Sequence, residues 1–239
     1  MIKISNSALQ QFLSGCPGRL KYFQEYKLKE QYLPRHMKFG IEVHRLVEDG
    51  LPARAYEHGI DPVAADIARK MIKVLKKQGY EILDREVWHH APLTDEIEVV
   101  GVIDIVARNI DGIPVLIDLK TGARQWVKLK QTSGELRIPK AETFQAPIYL
   151  TAPYEDPYFN GEWPQRLDYL MVPNDGRTKI HPFYESDDAR DNLIQACELL
   201  KASEDAGYFV LNRGWLCGDC DWRRLCWKQP NWKRYYDER

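Results

Sequence analysis

The most restrictive feature of this 239-residue chain is the stretch VVGVIDIVARNIDGIPVLIDLKTG, residues 99–122. Val and Ile fill two runs, Ile97 to Ala107 and Pro114 to Lys120, and Asp111-Gly112 between them is a hairpin-turn pair, so the sequence predicts two antiparallel strands. Among the charges within these apolar runs are Asp104 on the first and Asp118 and Lys120 on the second. Strand period two puts Asp118 and Lys120 on one face, while Val115, Leu116, Ile117 and Leu119 around them favour burial. Charges in such a place are costly unless they pair or bind an ion. Taken alone, the D-x-K spacing reads as a structural Asp–Lys salt bridge beside a turn-capping acid.

The rest of the chain supplies the elements around that hairpin. Short helices are predicted at Ser7–Leu13 and Gly18–Tyr26, separated by Gly15-Cys16-Pro17. Residues 38–49 place Phe39, Val43, Leu46 and Val47 at helical spacing, with His44 beside the stripe; by itself a His there is an ordinary core residue. Asp61-Pro62 opens a longer helix that ends near Gly79. A strand is expected at Ile82–His89, helix at 141–152, strands at Leu167–Val172 and Lys179–Phe183, and an amphipathic helix at 187–206. Helices, then a strand meander, then helix, strands and helix, make a mixed α/β core with a helical N-terminal elaboration. Glu86, on the first predicted strand, reads as an exposed acid and stays outside the catalytic set.

Charge narrows the function. The chain carries 34 Lys and Arg against 35 Asp and Glu, a net of -1, yet the distribution is polarised. Residues 119–140 sum to +5 and residues 64–77 to +4, whereas 151–191 sum to -5. Such segregation steers a polyanion toward one face, although any single run also reads as solvated surface. No apolar run approaches the roughly 18 residues of a membrane helix, and no secretory leader opens the chain. A soluble, cytoplasmic protein without membrane partners is expected. The phosphate loop G-x-x-x-x-G-K-[ST] is missing from the sequence, so ATP-driven unwinding would need a partner.

Three of the five cysteines crowd into CGDCDWRRLC, as Cys217, Cys220 and Cys226. Thiolates so spaced chelate one soft metal centre with a fourth ligand from elsewhere, and the spacing alone does not separate zinc from iron–sulfur. Cys197 lies inside the amphipathic helix and reads as a buried thiol. Trp215, Trp222, Trp227 and Trp232 alternate with Arg223, Arg224, Lys228, Lys233 and Arg234 around the cluster. These rings either shield the metal or stack bases of a single strand.

Four short patterns occur in order: G-x-x-x-H at Gly40 to His44, Gly101 followed by Asp104 on a strand, D-x-K at Asp118 and Lys120, and Q-x-x-x-Y at Gln145 and Tyr149. Together they resemble the PD-(D/E)XK nuclease superfamily, in particular its RecB-like exonuclease branch. Cys16-Pro17 with the three C-terminal cysteines resembles the iron–sulfur subgroup that includes AddB-type and CRISPR-associated nucleases. The resemblance implies a restriction-endonuclease-like α/β fold, a mixed central sheet flanked by helices. It implies one nuclease domain over 1–239: a helical part at 1–79, a core at 80–206, and a cysteine-cluster segment at 207–239 packing with Cys16. Asp104, Asp118, Lys120, Gln145 and Tyr149 would be catalytic. His44, Asp104, Asp118 and the carbonyl of Leu119 would hold Mg²⁺ or Mn²⁺, and Cys16, Cys217, Cys220 and Cys226 a 4Fe-4S cluster, with Zn²⁺ as the alternative. Arg124, Lys128, Lys130, Arg223 and Arg224 would contact nucleic acid. The implied substrate is DNA, as ends or single strands, and the implied partners are helicase, recombination or CRISPR proteins. The competing reading is a non-catalytic nucleic-acid-binding module on the same fold. Pro147, between Gln145 and Tyr149, lacks an N–H, so a helix there must begin within a turn of it or kink.

Overall fold

The computed structural model describes residues 1–13, 16–18, 20, 35–49, 59–121, 126–131, 134–139, 144–172 and 178–209. Backbone packing divides the chain into two compact units, Met1–Asn6 with Leu33–Gln195 and Ser7–Tyr32 with Ala196–Arg239. The expected helix at Gly18–Tyr26 falls mostly outside the described residues, as do Cys217, Cys220, Cys226, Arg124, Arg223 and Arg224.

The elements run β1 (Ile2–Ser5), α1 (Asn6–Leu13), α2 (Arg35–Glu48), α3 (Pro62–Lys77), β2 (Glu81–Pro92), β3 (Ile97–Arg108), β4 (Pro114–Thr121), β5 (Trp126–Gln131), β6 (Gly134–Pro139), α4 (Gln145–Leu150), β7 (Arg166–Val172), β8 (Lys179–Tyr184) and α5 (Asp187–Asp205). Helix α3 starts where the sequence says it should: the Asp61 carboxylate accepts from the Val63 N–H at 2.8 Å, and Pro62 takes the first turn, where no N–H is needed. Gly79, at φ 69°, turns the chain out of the helix. Between β3 and β4 the Asn109 side chain accepts from the N–H groups of Asp111 and Ile113, and Gly112 adopts φ 77°. The loop therefore hangs on Asn109 as much as on Asp111-Gly112.

Strand β1 and the β5–β6 hairpin are elements that the sequence reading left out. The four residues of β1 pair in parallel with Ile97–Val100 of β3, a contact with the far side of the first unit that so short a run cannot signal. The six-stranded mixed sheet runs β1-β3-β4-β7-β8, with β2 also on β3, and β5 and β6 form a separate two-stranded hairpin. The expected mixed α/β architecture, a central sheet flanked by helices, is what forms.

The long strand β3 decides where chemistry can sit. Along one edge it pairs with β2 from Glu98 to Arg108. Along the other it pairs with β1 up to Val100, and then with β4 only from Ile105 onward. Residues 101–104 thus face a split in the sheet where β1 has ended and β4 has not yet joined. Beneath, Val43, Leu46 and Val47 of α2 and Ala64, Ala65, Ala68, Met71 and Leu75 of α3 pack on Ile105, Ile117, Leu119 and Leu170 as one core. The small alanines let α3 lie close to its neighbours.

In the second unit, Leu9 of α1 and Cys197 of α5 are buried, and the Phe12 and Phe209 rings meet edge to face at 6.5 Å. Burial, aided by the charge of Glu198, pushes the Cys197 thiol up to about 12, in keeping with an inert core cysteine. No helix among the described residues is long and apolar enough to cross a membrane.

Candidate active site at the sheet split

Two groups in the split each satisfy a main-chain atom that the sheet leaves over. Asp104 accepts the Leu119 N–H at 2.7 Å. The Tyr149 hydroxyl donates to the Val102 carbonyl at 2.6 Å. Unpaired buried N–H and C=O groups would each cost about 1–3 kcal/mol, so these two side chains stand in for the missing strand ladder. Gly101 gives the Tyr149 ring its place, since a Cβ there would lie 2.5 Å from Cε1 of Tyr149. The Gly before Asp104 and the Tyr of Q-x-x-x-Y are therefore two halves of one contact.

Asp118, 1% exposed, accepts from Lys120 Nζ at 2.7 Å and from Gln145 Nε2 at 2.8 Å. The same Gln145 amide lies 3.2 Å from the Tyr149 hydroxyl. His44 Nδ1 stands 3.6 Å from Asp104 Oδ1. Burial works to lower the His44 pKa, but the hydrogen bond and charge of Asp104, with the charge of Asp118, outweigh it and leave it raised. Burial likewise pushes the Asp104 carboxyl up, and His44, Lys120 and the Leu119 N–H together hold it below its ordinary value. The structure thus brings together His44, Asp104, Asp118, Leu119, Lys120, Gln145 and Tyr149. Gly40 sits against Thr121 of β4, with 3.6 Å from its would-be Cβ to the hydroxyl, so an alanine would fit there.

Helix α4 has only six residues and almost no stability of its own. Pro147 is harmless because it falls in the first turn, among N–H groups that have no partner within a helix. The C-terminal carbonyls are held from outside. Thr151 caps that of Pro147, Trp163 Nε1 donates to that of Tyr149 at 2.8 Å, and His89 Nε2 donates to that of Ile148 at 2.9 Å. The His89 ring stacks on Trp163 at 5.7 Å and meets Tyr149 edge-on at 6.0 Å. Burial drives the His89 pKa down to about 4, so it is neutral with its proton on Nε2. His89 and Trp163 carry no motif and lie 59 and 14 residues from their partners, which is why the sequence did not reveal them.

Glu86 also gains a role. On β2 it stands between Arg85 and Val87, which pair with Ile105 and Ile103, and so lies beside Asp104. Its φ of 50° is strained for a residue with a side chain, at a cost of about 1 kcal/mol or more. Glu48, at the end of α2, is pushed up to about 7 by burial, then by the charge of Glu86, with Asp104 adding and His44 opposing. A run of acids therefore leads from Asp104 through Glu48 to Glu86. Lys128 and Lys130 lie on β5, in register with Arg137 and Glu135.

The donors suit a hard divalent cation in kind: two carboxylates meet at one strand junction, with the Leu119 carbonyl between Asp118 and Lys120. Among the described residues, no group of three or more His, Cys, Asp or Glu side chains closes into a ligand set. Main-chain oxygen and water would have to complete the shell, as is usual for Mg²⁺.

Comparison with known proteins follows the same lines. A family model described as the PD-(D/E)XK nuclease superfamily matches residues 3–227. No curated protein matches the sequence. Among solved structures, one described as a "Putative exonuclease" from Eubacterium rectale superposes with a TM-score of 0.57 at 15% identity, covering 93% of this chain and 87% of that one. The alkaline exonuclease LHK-Exo of Laribacter hongkongensis gives a TM-score of 0.42 at 12% identity, covering 86% and 89%. LHK-Exo in complex with dAMP gives 0.44, also at 12% identity, covering 86% and 89%. At such identities the first likeness speaks for the fold.

Proposed function

The chain belongs to the PD-(D/E)XK nuclease superfamily, and from that premise we propose that it is a divalent-metal-dependent deoxyribonuclease of the RecB-like branch, acting on DNA ends or single strands. The observation that carries this reading is the convergence of Asp104, Asp118 and Lys120 at the sheet split, with Gln145 and Tyr149 braced behind them. A non-catalytic module would have no use for two acids and a lysine gathered at one opening.

Asp104, Asp118, the Leu119 carbonyl and His44 would hold Mg²⁺ or Mn²⁺. When bound, the ion supplies Lewis acidity toward the scissile phosphate and the attacking water. Lys120, a buried cation 2.7 Å from an Asp118 oxygen, would orient that water or offset the charge that grows on the phosphate. Gln145 fixes one Asp118 oxygen and so aims the other, and Tyr149 locks the helix that carries Gln145. Lys128, Lys130 and Arg124, with Arg223 and Arg224, would follow the phosphates of the bound strand.

Cys16 with Cys217, Cys220 and Cys226 would hold a structural 4Fe-4S cluster, Zn²⁺ being the alternative. Cys16 makes no disulfide among the described residues, and Cys217, Cys220 and Cys226 lie outside them. Iron analysis and visible absorbance of anaerobically prepared protein test this assignment; zinc without iron overturns it. Partner helicase, recombination or CRISPR proteins would supply unwound substrate in the cytoplasm.

The decisive experiment incubates end-labelled single- and double-stranded DNA, linear and circular, with Mg²⁺, Mn²⁺ or EDTA. Wild type is run beside Asp118→Ala and Lys120→Ala. Metal-dependent cleavage lost in both variants is expected. Equal cleavage by all three proteins, or none by wild type under any metal, overturns the reading.

A further inference from the structure

A groove of about 570 Å³ runs along β2 and the segment after α4, starting at the position beside Asp104. Glu86 lines its near end. Farther along stand Trp88, Tyr154 and Tyr158, with His89 and Trp163 on its wall. Trp88 is 74% exposed and Tyr154 54% exposed, and both line this one groove. Trp88 pairs with Val102 across the ladder, two residues from the Asp104 position. Strand geometry puts the two Cα atoms roughly 8 Å apart.

From this we infer that the groove takes an unpaired nucleobase of the strand being cleaved, with Trp88 as its stacking platform. The inference rests on the nuclease reading above and names the form of substrate that the site holds. Charge decides which part of a nucleotide enters. Asp84, Glu86 and Glu155 line the groove against Arg85 as the cation, so a phosphate is repelled and the neutral face of a base is admitted. The phosphate is left at the carboxylates of the split, where a divalent ion offsets their charge. Stacking accepts any base, so the groove recognises single-strandedness rather than sequence.

The rival occupant is a peptide that adds a strand to the outer edge of β2. That edge is already fastened: the Tyr154 N–H donates to the His90 carbonyl at 3.2 Å, and the Tyr158 hydroxyl donates to Asp84 at 2.6 Å. A strand added along its length would have to displace the Tyr154 N–H from the His90 carbonyl, whereas a base would not.

The test measures binding and cleavage separately. Affinity for a labelled single-stranded oligonucleotide is read by anisotropy in EDTA, at fixed salt, and KM and kcat are read with metal present. Trp88→Ala should weaken binding and raise KM by about five- to a hundredfold, with kcat at saturation within a few-fold of wild type. Trp88→Tyr should recover most of the loss. An abasic position placed one nucleotide from the labelled end should cost wild type a similar factor and cost Trp88→Ala nothing further. Unchanged affinity and KM in Trp88→Ala, while wild type cleaves, overturns the base groove and leaves the nuclease standing. Absent cleavage by wild type removes the nuclease reading, and the EDTA affinities still decide on the groove. Circular dichroism checks that the exposed substitution leaves the fold intact.

Discussion

Two buried aspartates on neighbouring strands, Asp118 of β4 and Asp168 of β7, are each 1% exposed, and each has a cation two residues away on its own strand. Written as sequence they are near mirror images, D-x-K and R-x-D. Their surroundings differ completely. Arg166 grips both oxygens of Asp168 at 2.7 and 2.8 Å, and the Tyr80 hydroxyl adds a third bond at 2.6 Å. Burial and this contact raise the Tyr80 pKa, so the phenol stays neutral and donating. A guanidinium fork closes off a carboxylate, and nothing further can bind. Asp118 has a point-like ammonium and an amide instead, and a second carboxylate, Asp104, reaches the N–H of the next residue along its strand. One pair is a finished salt bridge. The other is a charge cluster in which two carboxylates, an ammonium and an amide meet.

The sharpest way to break that comparison is to remove a charge from each pair. Asp118→Asn or Lys120→Met should lower DNA cleavage by about 10³-fold or more, with binding in EDTA retained. Arg166→Met leaves Asp168 buried with only a phenol, and should cost about 3 kcal/mol in denaturant unfolding. Its activity well below the melting temperature should stay near wild type. Loss of activity there would mean that the Asp168 pair is not the bystander described above.

A pH titration of stability sharpens the contrast with a buried group that carries no charge. His89 is neutral in the fold, with its pKa lowered from 6.5 to about 4. The unfolded chain therefore binds the extra proton first as pH falls. The contribution is fully present above about 6.5 and is lost as pH drops toward 4, amounting to at most about 3 kcal/mol. Denaturation midpoints followed across that window should flatten in His89→Gln, which retains a donor for Ile148. An equally steep profile in the variant would assign the acid sensitivity elsewhere.

The smallest effect concerns the room made for Tyr149. Gly101→Ala puts a methyl 2.5 Å from the ring and should cost about 1–3 kcal/mol. It should also reduce kcat by shifting Gln145, while Gly40→Ala, with 3.6 Å of clearance, should be close to neutral. Comparing the two by thermal melting and steady-state rates separates a glycine needed for a ring from one that only sits in a helix.

Much of the site was legible because its parts obey local rules. The hairpin that bears Asp104, Asp118 and Lys120 follows from β-branched runs and a turn, and α3 follows from its Asp-Pro start. Gln145 and Tyr149, four residues apart, meet as helical spacing says they must. Apart from the local β5–β6 hairpin, what escaped notice depends on distant segments. Strand β1 has four residues and exists because β3 offers it an edge. His89 and Trp163 hold α4 through carbonyls, which any residue type supplies. Glu86 is exposed, as its sequence reading has it, and only the strand register puts it beside Asp104.

The sequence by itself determined which residue types would be buried with charge and which elements would carry them, because periodicity and turn chemistry act over a few residues. It could not separate D-x-K from R-x-D as sites, since both are an acid and a base at strand spacing. Only the tertiary structure decided that, by ending β1 and starting β4 at different points along β3. The gap so formed leaves the Leu119 N–H and the Val102 carbonyl to the side chains of Asp104 and Tyr149, which gathers them around Asp118, Lys120 and Gln145.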